Sequence, residues 1–150
     1  MSIAHKRVLV LEDDRDVREL LGSMLRHRGL TVDEASGGRE ALDLLGENGY
    51  SVILLDLLMP QPDGFAVLRA IEERPPSQTP VVLVLTAADR SLLDQLDSDR
   101  IHGIVRKPFD PEEVASLVVA CSEIRSRGSF GMMAVAVMSG ARFIDLLSRL

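Results

Sequence analysis

Val52–Gly64 reads VILLDLLMPQPDG, and the fold turns on how this stretch is read. Val52 to Leu55 are four apolar residues in a row, the pattern of a strand buried on both faces, and the run ends on a single carboxylate, Asp56. Met59-Pro60 and Asp63-Gly64 then turn the chain before the next helical pattern. Open α/β sheets bind ligands in the crevice beyond the carboxyl ends of their strands. Asp56 is therefore expected at a loop mouth and not in the core.

Similar runs lie on either side. Val8–Leu11 stops at Glu12, Asp13 and Asp14; Thr31–Ala35, Val81–Leu85 and Ile104-Val105 are further strand candidates. Between them apolar residues recur at helical spacing: Val17, Leu20, Leu21, Met24 and Leu25 up to Gly29, then Ala41, Leu42, Leu44 and Leu45 up to Asn48-Gly49. A third helix carries Phe65, Val67, Leu68 and Ile71 with Asp63 as its N-cap, and a fourth carries Leu92, Leu93 and Leu96. A fifth starts at Asp110, with Pro111 and two glutamates in its first turn. Five strands alternating with five helices predict an α/β fold, a parallel sheet covered on both faces with right-handed crossovers.

Composition narrows the function. With 150 residues, 46% hydrophobic and 27% charged, the chain has the make-up of an ordinary globular domain. The net charge of −6 opposes direct nucleic-acid binding, which needs a basic surface. Cys121 stands alone in a helical apolar stripe, which excludes an internal disulfide, fits a reducing compartment and marks a core residue. The apolar run after Lys6 and Arg7 is too short for a signal peptide, and no run approaches the roughly 18 apolar residues of a membrane span. A cytoplasmic protein is expected.

In a parallel sheet the strand ends share one edge, which would gather Glu12, Asp13, Asp56, Thr86 and Lys107. Clustered carboxylates repel, and a hard divalent cation such as Mg²⁺ relieves the repulsion with oxygen ligands. Simpler roles exist for each residue: Glu12–Asp14 as helix-capping acids, Lys107 as a solvated charge, Thr86 as a turn residue. Capping does not explain an acid after the third strand. His5, His27 and His102 are scattered without metal-ligand spacing, and no glycine-rich nucleotide motif is present.

Four motifs in order, VLVLEDD, LLDLLMPQPDG, VLVLTA and KPF, resemble the receiver domain of bacterial two-component response regulators, over about Lys6 to Ile124. The resemblance implies a flavodoxin-like, doubly wound five-stranded sheet. It also implies phosphoryl transfer from a phosphohistidine, on a sensor histidine kinase or phosphotransfer protein, to Asp56. In that pattern Asp13 is the direct Mg²⁺ ligand and Glu12 holds metal-bound water. Asp56 is acceptor and ligand, and the backbone carbonyl of Leu58 is the third protein ligand. Thr86 and Lys107 would meet phosphoryl oxygens, Asp14 is left as a capping acid, and the Lys107-Pro108 peptide would be cis.

The sequence departs from the family at Ile104, where an aromatic switch residue is usual. Signalling is then expected through shifts of the helix around Leu92–Leu96. The domain division expected is 1–124 for the receiver and 125–150 for a linker and amphipathic tail. In that tail Phe143, Leu146, Leu147 and Leu150 share one helical face. Such a helix must pack on its own domain, on a second copy in a homodimer, or on a partner.

About twenty-five residues cannot hold a helix-turn-helix module. The chain therefore reads as a single-domain regulator that docks on a downstream protein target, or as a phosphorelay carrier, and not as an enzyme with a separate substrate. The alternatives are a metal-dependent phosphohydrolase or phosphotransferase with an aspartyl-phosphate intermediate, and an unphosphorylated scaffold.

Overall fold

A computed structural model describes residues 6–59, 62, 64–75, 78–87, 101–126 and 136–139. Among these residues six strands are described: β1 Arg7–Leu11, β2 Thr31–Ala35, β3 Val52–Asp56, β4 Val81–Thr86, β5 Gly103–Arg106 and β6 Ala136–Ser139. Four helices are described: α1 Arg15–His27, α2 Gly38–Glu47, α3 Gly64–Glu72 and α4 Pro111–Ser126. The strands form one sheet in the order β2-β1-β3-β4-β5-β6, with every pairing parallel.

The apolar runs are continuous because the sheet is buried on both faces. Val8, Val10, Val52, Leu54, Leu83 and Leu85 pack with Leu21 and Leu25 of α1 and with Val114, Val118 and Cys121 of α4. Their neighbours Leu9, Leu11, Ile53, Leu55, Val82 and Val84 point the other way, to Ala41 and Leu45 of α2 and Val67, Leu68 and Ile71 of α3. The doubly wound sheet expected from the sequence is thus present. Cys121 is fully buried, and burial pushes its thiol up to about 12.

Local rules explain the ends of the elements. Asp14 caps α1, its Oδ1 accepting from the N–H groups of Asp16 at 3.0 Å and Val17 at 3.2 Å. Gly29, at φ 89°, ends the same helix. Asp110 caps α4 by accepting from the Glu112 N–H at 2.9 Å. The strand ladders run slightly past the apolar residues, so Asp56 and Thr86 are the last residues of β3 and β4.

The tail differs from expectation. Residues 136–139, within the linker and amphipathic tail expected over 125–150, form β6, in register with Gly103–Arg106 of β5. The reason is visible in composition: Met132 to Met138 are seven apolar residues in a row, a run of the same kind as those of β1, β3 and β4. The Asp63 cap, the helix around Leu92–Leu96 and the Phe143–Leu150 pattern lie outside the described residues. Among the described residues no helix is long and apolar enough to cross a membrane.

Candidate functional site

Between β1 and β3 the winding of the sheet reverses, so the crossovers leave these neighbouring strands toward opposite faces and open a crevice at their carboxyl ends. Glu12 follows β1 and Asp56 ends β3, both in that crevice. Glu12 is completely buried and Asp56 is 3% exposed, while Asp13 reaches the surface. One carboxylate oxygen from each of Glu12, Asp13 and Asp56 lies within 4.8 Å of the others.

Each acid is held by its surroundings. The Glu12 N–H donates to the Ala35 carbonyl at 3.1 Å, continuing the β1–β2 ladder one residue further. Asp56 Oδ1 accepts from the Leu58 N–H at 3.0 Å, which fixes the carboxylate against its own turn. Gly64 starts α3 so close to this turn that a Cβ there would run into the Asp56 carbonyl and the Leu57 backbone. Leu58 is 47% exposed.

Lys107 joins the acids from β5. Its Nζ donates to Glu12 Oε1 at 2.5 Å and to Asp56 Oδ2 at 3.1 Å. The Lys107 N–H bonds the Thr86 carbonyl at 3.0 Å, and the Lys107-Pro108 peptide is cis. Thr86 is fully buried at the end of β4, one residue beyond Leu85, the register partner of Asp56. The fold therefore brings Glu12, Asp13, Asp56 and Lys107 into direct proximity, with Thr86 at the adjoining strand end.

Electrostatics follow from burial. Desolvation raises the Glu12 carboxyl to about 7, the Asp56 carboxylate adds to the rise, and Lys107 opposes it. For Lys107 burial acts downward, but the bonds to Glu12 and Asp56 outweigh it and hold the ammonium more firmly protonated than usual. Among the described residues, three carboxyl groups thus gather around one ammonium. Glu12 Oε2 is also buried without a hydrogen-bond partner among the described residues. An all-oxygen donor set with an orphaned buried oxygen fits a hard divalent cation.

Two contacts escaped the sequence reading. Lys107, expected to meet phosphoryl oxygens, also bridges two carboxylates; Glu at position 12 is one methylene longer than Asp, and that length is the available signal. Arg18 Nη1 donates to the Glu12 carbonyl at 2.8 Å, a contact that no motif marks. Ile104, at the usual aromatic position, is buried beside Val84 and packs with Leu55, Leu57 and Ile101.

The family model for the response regulator receiver domain matches residues 8–119. The transcriptional regulatory protein SrrA of Staphylococcus aureus is 32% identical over 120 residues, covering 75% of this chain and 46% of that protein. The chain thus spans about half the length of the curated relatives it matches. Among solved structures, the response regulator TrrA of Thermotoga maritima, in complex with Mg²⁺-BeF, is 30% identical with a TM-score of 0.67, over 77% of this chain and 98% of that one. The Francisella response regulator 1452 receiver domain is 27% identical with a TM-score of 0.69, over 79% of this chain and 97% of that one.

Proposed function

The chain belongs to the response regulator receiver domain family, and from that membership we propose that Asp56 accepts a phosphoryl group from a phosphohistidine on a sensor histidine kinase or phosphotransfer protein. The observation that carries this reading is the meeting of Glu12, Asp13 and Asp56 within 4.8 Å at the switch point of the sheet.

The chemistry asks little covalent work of the protein. An Asp56 carboxylate oxygen attacks phosphorus, the P–N bond to the donor imidazole breaks, and its electron pair leaves with that ring. Glu12, Asp13, Asp56 and the Leu58 backbone carbonyl are the groups that would hold Mg²⁺, directly or through water. When bound, the ion supplies positive charge for the phosphoryl oxygens.

The remaining steps belong to the chain's own residues. Lys107 holds Asp56 Oδ2 by the 3.1 Å bond from its Nζ, and its ammonium then turns to a phosphoryl oxygen as a point charge. The Thr86 hydroxyl donates to another. Burial of Glu12 and Asp56 lowers the local dielectric and strengthens both interactions.

We read the output as altered binding to a downstream protein, or onward relay of the phosphoryl group, by a cytoplasmic regulator without a separate substrate. The net charge of −6 supports a protein target over a nucleic acid. The test is labelling of the full chain with acetyl phosphate, with and without Mg²⁺. Wild type should label only with Mg²⁺, and Asp56→Asn should lose the label. Equal labelling of both would remove the reading.

A further inference from the structure

We propose that Arg18 is a positioning residue for the acidic site, fixing the peptide between Glu12 and Asp13 in the orientation that cation binding and phosphoryl transfer require; this rests on the phosphoacceptor reading above. Glu12 and Asp13 are adjacent in the loop that leaves β1, and Asp13 is exposed. The loop is gripped at two backbone points. The Glu12 N–H is tied to Ala35 at 3.1 Å, and the Glu12 carbonyl accepts from Arg18 Nη1 at 2.8 Å. That carbonyl belongs to the peptide joining the two acids, so the guanidinium sets the plane from which Asp13 departs.

A free guanidinium this close would repel a cation. Arg18 is instead paired away from the site: its Nε lies 3.8 Å from Glu34 Oε1 on β2, and Arg26 Nη1 takes Glu34 Oε2 at 2.7 Å. The Arg18 side chain is 15% exposed and that of Glu34 20%, so both are largely enclosed. Gly22 on α1 leaves the space, because a Cβ there would stand 2.7 Å from Glu34 Oε2. Glu34, shared with Arg26, thus offsets part of the charge while Arg18 presents a hydrogen-bond donor to the loop.

Charge and position predict opposite results. If Arg18 acted only as a nearby positive charge, Arg18→Ala would tighten Mg²⁺ binding. As a positioning residue, its loss should raise the Mg²⁺ dissociation constant about tenfold, measured by calorimetry on the full chain, and slow acetyl phosphate labelling at saturating Mg²⁺. Arg18→Lys, which still offers a donor to the carbonyl, should recover much of the affinity.

Unchanged or tighter Mg²⁺ binding by Arg18→Ala, even with a lowered Tm, would overturn the proposal. Should that variant not fold, Arg18→Met, which keeps the apolar stem and offers no donor, is judged by the same affinity criterion. Asp13→Asn separates the two layers. If wild type binds Mg²⁺ and Asp13→Asn weakens it while the Arg18 variants do not, only the Arg18 role falls. If wild type binds no Mg²⁺, the phosphoacceptor reading falls with it.

Discussion

Lys107 is the cation on which the acidic crevice balances. It contacts Glu12 Oε1 and Asp56 Oδ2 together, and both carboxylates are almost wholly buried. Lys107→Ala leaves them facing each other with no compensating charge, a change that costs about 3–5 kcal/mol for a fully buried pair. Lys107 is 24% exposed and solvent screens part of this, so a loss of about 1–3 kcal/mol is expected for the metal-free protein. Thermal unfolding in a chelator should show the drop, and Mg²⁺ should reverse most of it; a variant as stable as wild type in chelator would refute the balance. The acids themselves were legible in the sequence, because each closes an apolar run and strand ends share an edge. The bridge was not, because it depends on side-chain reach across 51 and 95 residues of sequence. Ile104 adds a similar lesson: its type is visible in the sequence, but its packing beside Val84 is settled only by the β4–β5 register.

The strands β1, β2 and β3 are also tied at the end opposite the site. Arg7 Nε donates to Asp33 Oδ2 at 2.9 Å, the Tyr50 hydroxyl donates to the same oxygen at 2.7 Å, and the Arg7 guanidinium lies 5.9 Å from the Tyr50 ring centre. Burial acts upward on Asp33, but the bonds from Arg7 and Tyr50 win and lower its pKa. Burial and the bond to Asp33 raise the Tyr50 phenol above its ordinary 10.0. A lowered acid stabilises the fold above its unfolded value, and that contribution is lost as pH falls through the folded one. A raised phenol stabilises below 10.0, and the contribution is lost as pH climbs through its folded value. Tyr50→Phe should therefore cost about 1–2 kcal/mol at neutral pH and remove part of the alkaline loss. Urea unfolding of both proteins on either side of pH 10.0 checks this, and parallel alkaline curves would deny it. Caps such as Asp14 and Asp110 were readable because capping is local, whereas this network joins residues that only the ladder makes neighbours.

The sheet as a whole ends in β2 on one side and β6 on the other, and the second edge is where sequence reasoning fell short. An apolar run can become a strand, a buried helix or a docking segment, and the choice depends on whether a distant edge is free to accept it. Here β5 is that edge, and the register sets Ser139 beside Arg106, the residue before Lys107. We propose that this pairing ties the tail to the strand that delivers Lys107. Removal of everything after Arg127 should then expose the β5 backbone, speed amide exchange in Gly103–Arg106, and cost about 1–3 kcal/mol through the lost strand bonds. Hydrogen exchange and denaturant unfolding on the full and shortened chains measure both effects. Unaltered exchange in β5 would mean that the tail leaves this edge alone. Sedimentation of the same pair tests the homodimer: loss of a dimer on truncation would place the tail between copies, whereas faster β5 exchange in a protein that is monomeric throughout would place it on its own sheet.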